Sequence, residues 1–277
     1  DFTFKDYQWD INENKSKTTN KIVFENDFKD FDIKSLVLTH DNEEININGE
    51  VRGKDYKNVK GVFENVDLNK ITPSIDSLRL AGRVNGELAL LQEKGVYFPT
   101  STITIDSLGV NDTELGKLTI NASGNEGLTE FRINTKLVGS DNNKSFSAIG
   151  SINVAGGSES INLDVDFNDF NMSGFSALGG DVISNIRGMV SGSAKVLGKY
   201  ANPSIDGRLL LKNAGLKIPY LNVDLNLEDN AVVKLSGQRF NFDDVNITDT
   251  AYNTKGILGG YIEHYQFSKW NMGLRLL

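Results

Sequence analysis

The chain has 277 residues, 37 of them acidic and 29 basic, for a formal charge of −8; 39% of it is hydrophobic and it holds no cysteine. That apolar content suffices for a core and argues against disorder. The acidic balance, with no basic stripe among aromatics, leaves nucleic acid and anionic membrane surfaces as poor partners. Disulfide frameworks, thiolate zinc sites and cysteine nucleophiles are excluded, and no apolar run reaches the roughly 18 residues of a membrane span.

Twenty-seven glycines against four prolines favour strands and tight turns. From Phe2 and Phe4 onward, apolar and polar residues alternate with a period of two. Side chains on a strand point alternately to opposite faces, so the pattern predicts ribbons with one oily and one wet side, about twenty of them. Turns are expected at Asp41–Asn42, Gly124–Asn125, Asp141–Asn143 and Gly156–Gly157. Two stretches, Leu68–Ile75 and Met172–Gly179, lack the alternation and read as helical turns, the second running on through Val182, Ile183 and Ile186. Each precedes a Gly-x-Val-x-Gly strand (82–86 and 188–192), where it would plug a sheet edge. The strongest oily faces carry Ile103 and Ile105, Leu118 and Ile120, then Ile161, Leu163 and Val165. Further on come Leu209 and Leu211, Leu225 and Leu227, and Val233 and Leu235; the pattern closes on Trp270, Met272, Leu274 and Leu276. Both ends read as cut from a longer polypeptide.

The pattern repeats at a spacing of about 105 residues. Gly82, Val84 and Gly86 match Gly188, Val190 and Gly192 at an offset of 106, and Pro99 matches Pro203 at 104. Leu36 and Leu38 resemble Val245 and Ile247 near twice that spacing, and Gly49 and Val51 resemble Gly256 and Leu258. The expected organisation is a partial repeat over residues 1–62, a full one over 63–166 and another over 167–277. Repeats that stack only on neighbours make elongated bodies rather than globules.

Chemistry-bearing motifs are few. His40 and His264 lie far apart in polar, turn-like surroundings and read as surface histidines. Asp243, Asp244 and Asp249 lack a calcium-loop spacing and read as acidic residues beside a strand. Asp164 and Asp166 alternate with Leu163, Val165 and Phe167, so they belong to a water face, and the Glu43–Glu44 pair is likewise read as solvated. Gly-x-Val-x-Gly has the wrong spacing for a phosphate loop; glycines inside a strand mark bulges or sharp curvature. The Asn-x-Ser/Thr triplets follow from composition. The expectation is a protein without catalytic residues, metal or cofactor.

What covers the oily faces decides function. Two such faces packed on one another would make an ordinary sandwich. A long sheet curved into a trough leaves an inner face too wide to fill itself, and its aliphatic wall suits an acyl chain. Each methylene withdrawn from water gains about 0.8 kcal/mol, so a sixteen-carbon chain gains on the order of 12 kcal/mol.

The C-terminal two-fifths carries a further signal. G-x-V-x-G at 188–192, then Val196 and Gly198, N-P-x-I-x-G at 202–207, Leu209–Leu211, Gly215–Leu216 and I-P-Y-L at 218–221 follow one another. After them come Leu227, Asp229, Val232, Arg239, Phe240, Phe242, Ile247, Asp249 and Gly256–Ile262. In this order the set resembles the TamB family of the AsmA-like superfamily, from about Asn168 to Leu277. The resemblance implies an all-β fold: elongated, curved antiparallel repeats forming an open hydrophobic groove, taco-shaped in section, with one or two short helices at the seams. It also implies residence in the periplasm of a diderm bacterium. An N-terminal inner-membrane anchor outside this segment and a C-terminal outer-membrane barrel partner of the assembly-factor (BamA/TamA-like) type are further implications. The thirteen residues from Ile103 to Leu235 named above would then face phospholipid acyl chains. Two alternatives stand beside lipid transport: a module aiding insertion of outer-membrane β-barrel proteins through a free sheet edge, and a structural stalk with a filled core.

Overall fold

The computed structural model describes residues 10–11, 20–72, 78–111, 113–139, 145–179, 181–199, 202–250, 252–265 and 269–277. Eighteen strands join in one sheet. The first six are β1 (Asp10–Ile11), β2 (Lys21–Glu25), β3 (Asp30–His40), β4 (Glu43–Arg52), β5 (Tyr56–Asp67) and β6 (Leu80–Glu93). Then follow β7 (Val96–Val110), β8 (Thr113–Gly124), β9 (Glu130–Val138), β10 (Ser145–Asn153), β11 (Ser160–Asn171) and β12 (Ser184–Gly198). The last six are β13 (Ser204–Ile218), β14 (Val223–Leu227), β15 (Ala231–Ser236), β16 (Arg239–Asp249), β17 (Lys255–Tyr265) and β18 (Lys269–Leu276).

The strands form an antiparallel meander, each pairing with its neighbour in the chain from β2 to β14 and from β15 to β18. Short β14 and β15 share the place between β13 and β16 as one interrupted strand. The all-β, curved antiparallel architecture is thus as expected. The divisions after residues 62 and 166 fall within β5 and β11, so they mark the phase of a pattern inside one sheet. The turns at Asp41–Asn42, after Gly124 and at Gly156–Gly157 are present; Asp141–Asn143 lies outside the described residues.

A left-handed bulge interrupts the alternation at seven places. Ser35, Asn65, Ser107, Asp169, Asn185, Asn213 and Asp244 all adopt left-handed backbone, with φ between 46° and 54°. Each sits at a register shift where two residues oppose one on the neighbouring strand. The inward residues therefore step by three instead of two: Ile33 to Leu36, Phe63 to Val66, Ile105 to Leu108, Phe167 to Phe170, Ile183 to Ile186, Leu211 to Ala214, and Phe242 to Val245. Asn and Asp tolerate this conformation because a short polar side chain bonds locally. The backbone N–H freed by the bulge finds a side chain nearby. Asn65 donates to Asn85 Oδ1 at 2.8 Å, Asp169 to Ser191 Oγ at 2.9 Å and Asn213 to Asp229 Oδ1 at 2.8 Å. Bulges bend a strand and increase its twist, so seven of them curl the sheet.

The second glycine of each Gly-x-Val-x-Gly strand serves the same curvature. Gly86 and Gly192 have φ of 130° and 137°, and a Cβ there would stand 2.1 Å from Thr102 O and 2.2 Å from Arg208 O. Only glycine admits so close an approach of the next strand.

Both non-alternating stretches turn helically, but briefly. The first is helix α1 (Leu68–Ile71), with Asp67 accepting from the Asn69 N–H at its N-cap. The second is a 3-10 helix over Ser173–Gly179. The expected continuation through Ile186 does not occur: Ser184, Asn185 and Ile186 open β12, whose ladder to β13 has already begun.

Candidate functional site

One apolar cluster runs along the inner face from Leu38 and Ile45 to Trp270, Met272 and Leu274. Of the thirteen residues expected to line a groove, nine belong to this cluster; Val165 lies outside it but bounds the main cavity, and Ile120, Ile161 and Leu163 do neither. Ile105, Val165, Leu211, Leu225, Leu227, Val233 and Leu235 are buried, and Ile103, Leu118, Ile120, Ile161, Leu163 and Leu209 are half-buried. Their neighbours Asp164, Asp166, Lys195, Arg208 and Lys234 are exposed on the other face.

This face is not filled by its own side chains. A cavity of about 580 Å³ is bounded by residues from β7 to β18, including Leu108, Phe146, Val165, Leu209, Leu235 and Trp270. Strands so far apart in the ladder can share a cavity only if the sheet curls to face itself. Thr135 is the one hydroxyl- or amide-bearing residue in that wall; no charged residue takes part. A second cavity of about 170 Å³ shares Leu209, Phe240 and Trp270 with it and adds Leu211, Leu227 and Val233. A third, about 390 Å³, lies over Ile47, Phe63, Leu90, Pro99 and Phe131 in the earlier repeat. The first of these three is of the size that takes a small ligand. Ile103, Ile105, Ile120, Ile161, Leu163 and Leu225 belong to the same face without bounding these cavities.

The two rims of the groove differ. Along β7, Ile103 is half-buried, while Ile105, Leu108 and Val110 are 6%, 8% and 4% exposed. The same gradient runs along β9 from Phe131 to Leu137, along β11 from Ile161 to Phe170, and along β16 from Phe240 to Ile247. The bulges and both helical stretches lie at the buried end, and they act as straps. Around the 3-10 helix, Asn111 Nδ2 donates to Gly174 O at 2.7 Å, Thr113 Oγ1 meets Ser173 Oγ at 3.1 Å, and Ile186 N–H donates to Ser176 Oγ at 3.0 Å. That helix thereby ties the β7–β8 turn to β12 and inserts Phe175 against Phe170, ring centroids 5.9 Å apart. At α1, Lys70 Nζ lies 2.7 Å from Glu43 Oε2, and Arg83 Nη1 lies 3.0 Å from Glu43 Oε1. At the opposite rim the Lys94–Gly95, Asn125–Thr129 and Gly237–Gln238 turns bond to their neighbours, as Gly95 N–H to Asp55 O at 3.0 Å and Val154 N–H to Thr129 O at 2.8 Å, but no helix crosses it among the described residues.

Two sequence expectations are corrected here. Glu43 is not solvated; it is 2% exposed, because α1 folds over it and supplies a buried cation. His264 is not a surface residue; it is 3% exposed between the rings of Phe240 and Trp270, at centroid distances of 5.7 and 5.4 Å. Burial lowers the pKa of its imidazolium below the ordinary 6.5. Its position on β17 faces it inward, although Glu263 and Tyr265 beside it make the local sequence look polar. His40 is half-buried at the far end of β3. Asp243 pairs with Lys234 and Asp244 with Arg275, while Asp249 is 8% exposed at the end of β16. No group of metal-ligating side chains gathers among the described residues.

The class of body defined by this geometry is a curled β-sheet enclosing an apolar groove, strapped along one rim and open along the other. No protein-family model, curated protein or solved structure matches the chain.

Proposed function

We propose that this chain is a segment of a TamB-like periplasmic β-groove that shields phospholipid acyl chains in passage between the inner and outer membranes. The carrying observation is the 580 Å³ cavity, walled almost wholly by hydrocarbon and continuous with an apolar face that spans the sheet. At roughly 30 Å³ per methylene-sized group it holds one long acyl chain. Burial alone binds the tail, at about 0.8 kcal/mol per methylene, so no matched polar pocket is required. Headgroups stay outside, at the unstrapped rim. The chain performs no chemistry in this account; direction comes from the anchor and barrel partner that the TamB resemblance implies.

A second reading, a module that assists insertion of outer-membrane barrels, draws on β18, which pairs with β17 alone among the described strands. Photo-crosslinkers at Leu209 and at Asn271 separate the two in cells. Lipid adducts at Leu209 are expected. Client polypeptide captured at Asn271, with no lipid at Leu209, would overturn the conduit.

A further inference from the structure

The water face of β7–β12 is itself concave. It forms a cleft of about 690 Å³ on the side of the sheet opposite the groove. One row across its floor runs Thr102, Asn121, Asn134, Ile149, Asp164 and Lys195, each the register partner of the next. A parallel row begins at Thr100 and ends at Asn162. The charges in the cleft cancel: Glu130 and Asp164 against Arg132 and Lys195, the last two of these rows' ions paired at 3.1 Å between Lys195 and Asp164. Asn121, Asn134 and Asn162 are exposed and make no side-chain hydrogen bond to any described residue. Ile149 stands among them 53% exposed, an apolar platform on an otherwise polar floor.

We propose that this cleft binds a linear, uncharged polyhydroxylated chain, a neutral glycan, lying across the strands. Each free amide offers both donors and an acceptor to a hydroxyl-rich ligand. Asn121 and Asn134 are register partners on adjacent strands about 4.8 Å apart, Asn162 stands two strands further on, and the six-strand floor spans roughly 24 Å from end to end. Cancelled charge disfavours an anionic or cationic polymer, because either would leave half of the cleft's ions opposed. The apolar Ile149 suits the face of a sugar ring. This site is separate from the acyl-chain groove and does not rest on it.

The test titrates the purified chain with linear oligomers of N-acetylglucosamine and of glucose, from two to six sugars, following backbone amide shifts by NMR. Shifts confined to β7–β12, with affinity rising as the oligomer lengthens to five or six sugars, are expected. Asn134→Ala and the nearly isosteric Thr102→Val should each weaken hexamer binding severalfold, and together by tenfold or more, in proteins whose spectra are otherwise unchanged. No shifts at millimolar hexamer, shifts outside the cleft, affinity independent of length, or equal binding of a polygalacturonate hexamer would each overturn the proposal.

Discussion

Replacing Lys70 by methionine strands a carboxylate. Glu43 is 2% exposed and receives Lys70 at 2.7 Å, Arg83 at 3.0 Å and the Asp67 N–H at 3.1 Å. At an effective dielectric of 20 the Lys70 contact alone is worth about 6 kcal/mol before desolvation. Most of that is offset by taking both ions out of water, yet removing one partner of a buried pair costs about 3–5 kcal/mol. Arg83 remains, with its side chain 46% exposed, so the lower end, about 3 kcal/mol, is expected for Lys70→Met. In a chain of this size that lowers Tm by about 6 °C. The double variant Glu43→Gln with Lys70→Met holds no buried charge and should recover more than half of the loss. Thermal and urea melts of the wild type, both single variants and the double variant close the cycle. Additive losses, or a Lys70→Met loss below about 1 kcal/mol, would refute the view that this pair fastens α1 over the sheet.

Three further outcomes are expected. Asn65→Ala forces an alanine into left-handed backbone and should cost about 1–2 kcal/mol, whereas Asn65→Gly should be nearly neutral; equal losses by urea denaturation would remove the bulge argument. Burial keeps the folded pKa of His264 below 6.5. Its stabilising contribution is therefore whole above pH 6.5 and is lost as pH falls through the folded pKa, because the unfolded chain takes up the proton first. His264→Gln should flatten the fall of Tm as pH drops below 6.5; parallel curves for the two proteins would contradict this. Leu209→Asp should reduce bound lipid severalfold and Asp164→Leu should leave it unchanged, since one side chain walls two cavities and the other faces water. Equal effects in extracted lipid would cancel the assignment of faces.

The faces of the strands were legible because alternation is a local property: Leu163 and Asp164 differ in environment for reasons visible in five residues of sequence. Bulges were not. The step from Phe63 to Val66, or from Leu211 to Ala214, looks like a lapse in alternation until backbone shows a Ser, Asn or Asp in left-handed conformation at each one. With hindsight the signal is an apolar residue, a polar one, then Ser, Asn or Asp, then an apolar residue, and it recurs seven times. The match of Gly49 to Gly256 was displaced for another reason, the longer connection from β16 to β17 than from β3 to β4. By geometry its counterpart is Gly260, since both have positive φ and a Cβ at either would meet the next strand's carbonyl within 2.2 Å. Glu43 and His264 were misread because their burial comes from distant chain, from α1 in one case and Phe240 and Trp270 in the other. The closed rim likewise depends on contacts such as Asn111 to Gly174, sixty-three residues apart, which no local pattern announces.

The central claim is that the groove holds acyl chains, and the lipid extracted from the purified chain tests it most directly. Quantitative mass spectrometry of an organic extract should find glycerophospholipid bound at about one molecule per chain, one of its two tails in the 580 Å³ cavity and the other along the apolar face continuous with it. Its amount should fall when Leu209→Asp is introduced. A chain that folds, releases no stoichiometric lipid and acquires none from phospholipid vesicles would contradict the account.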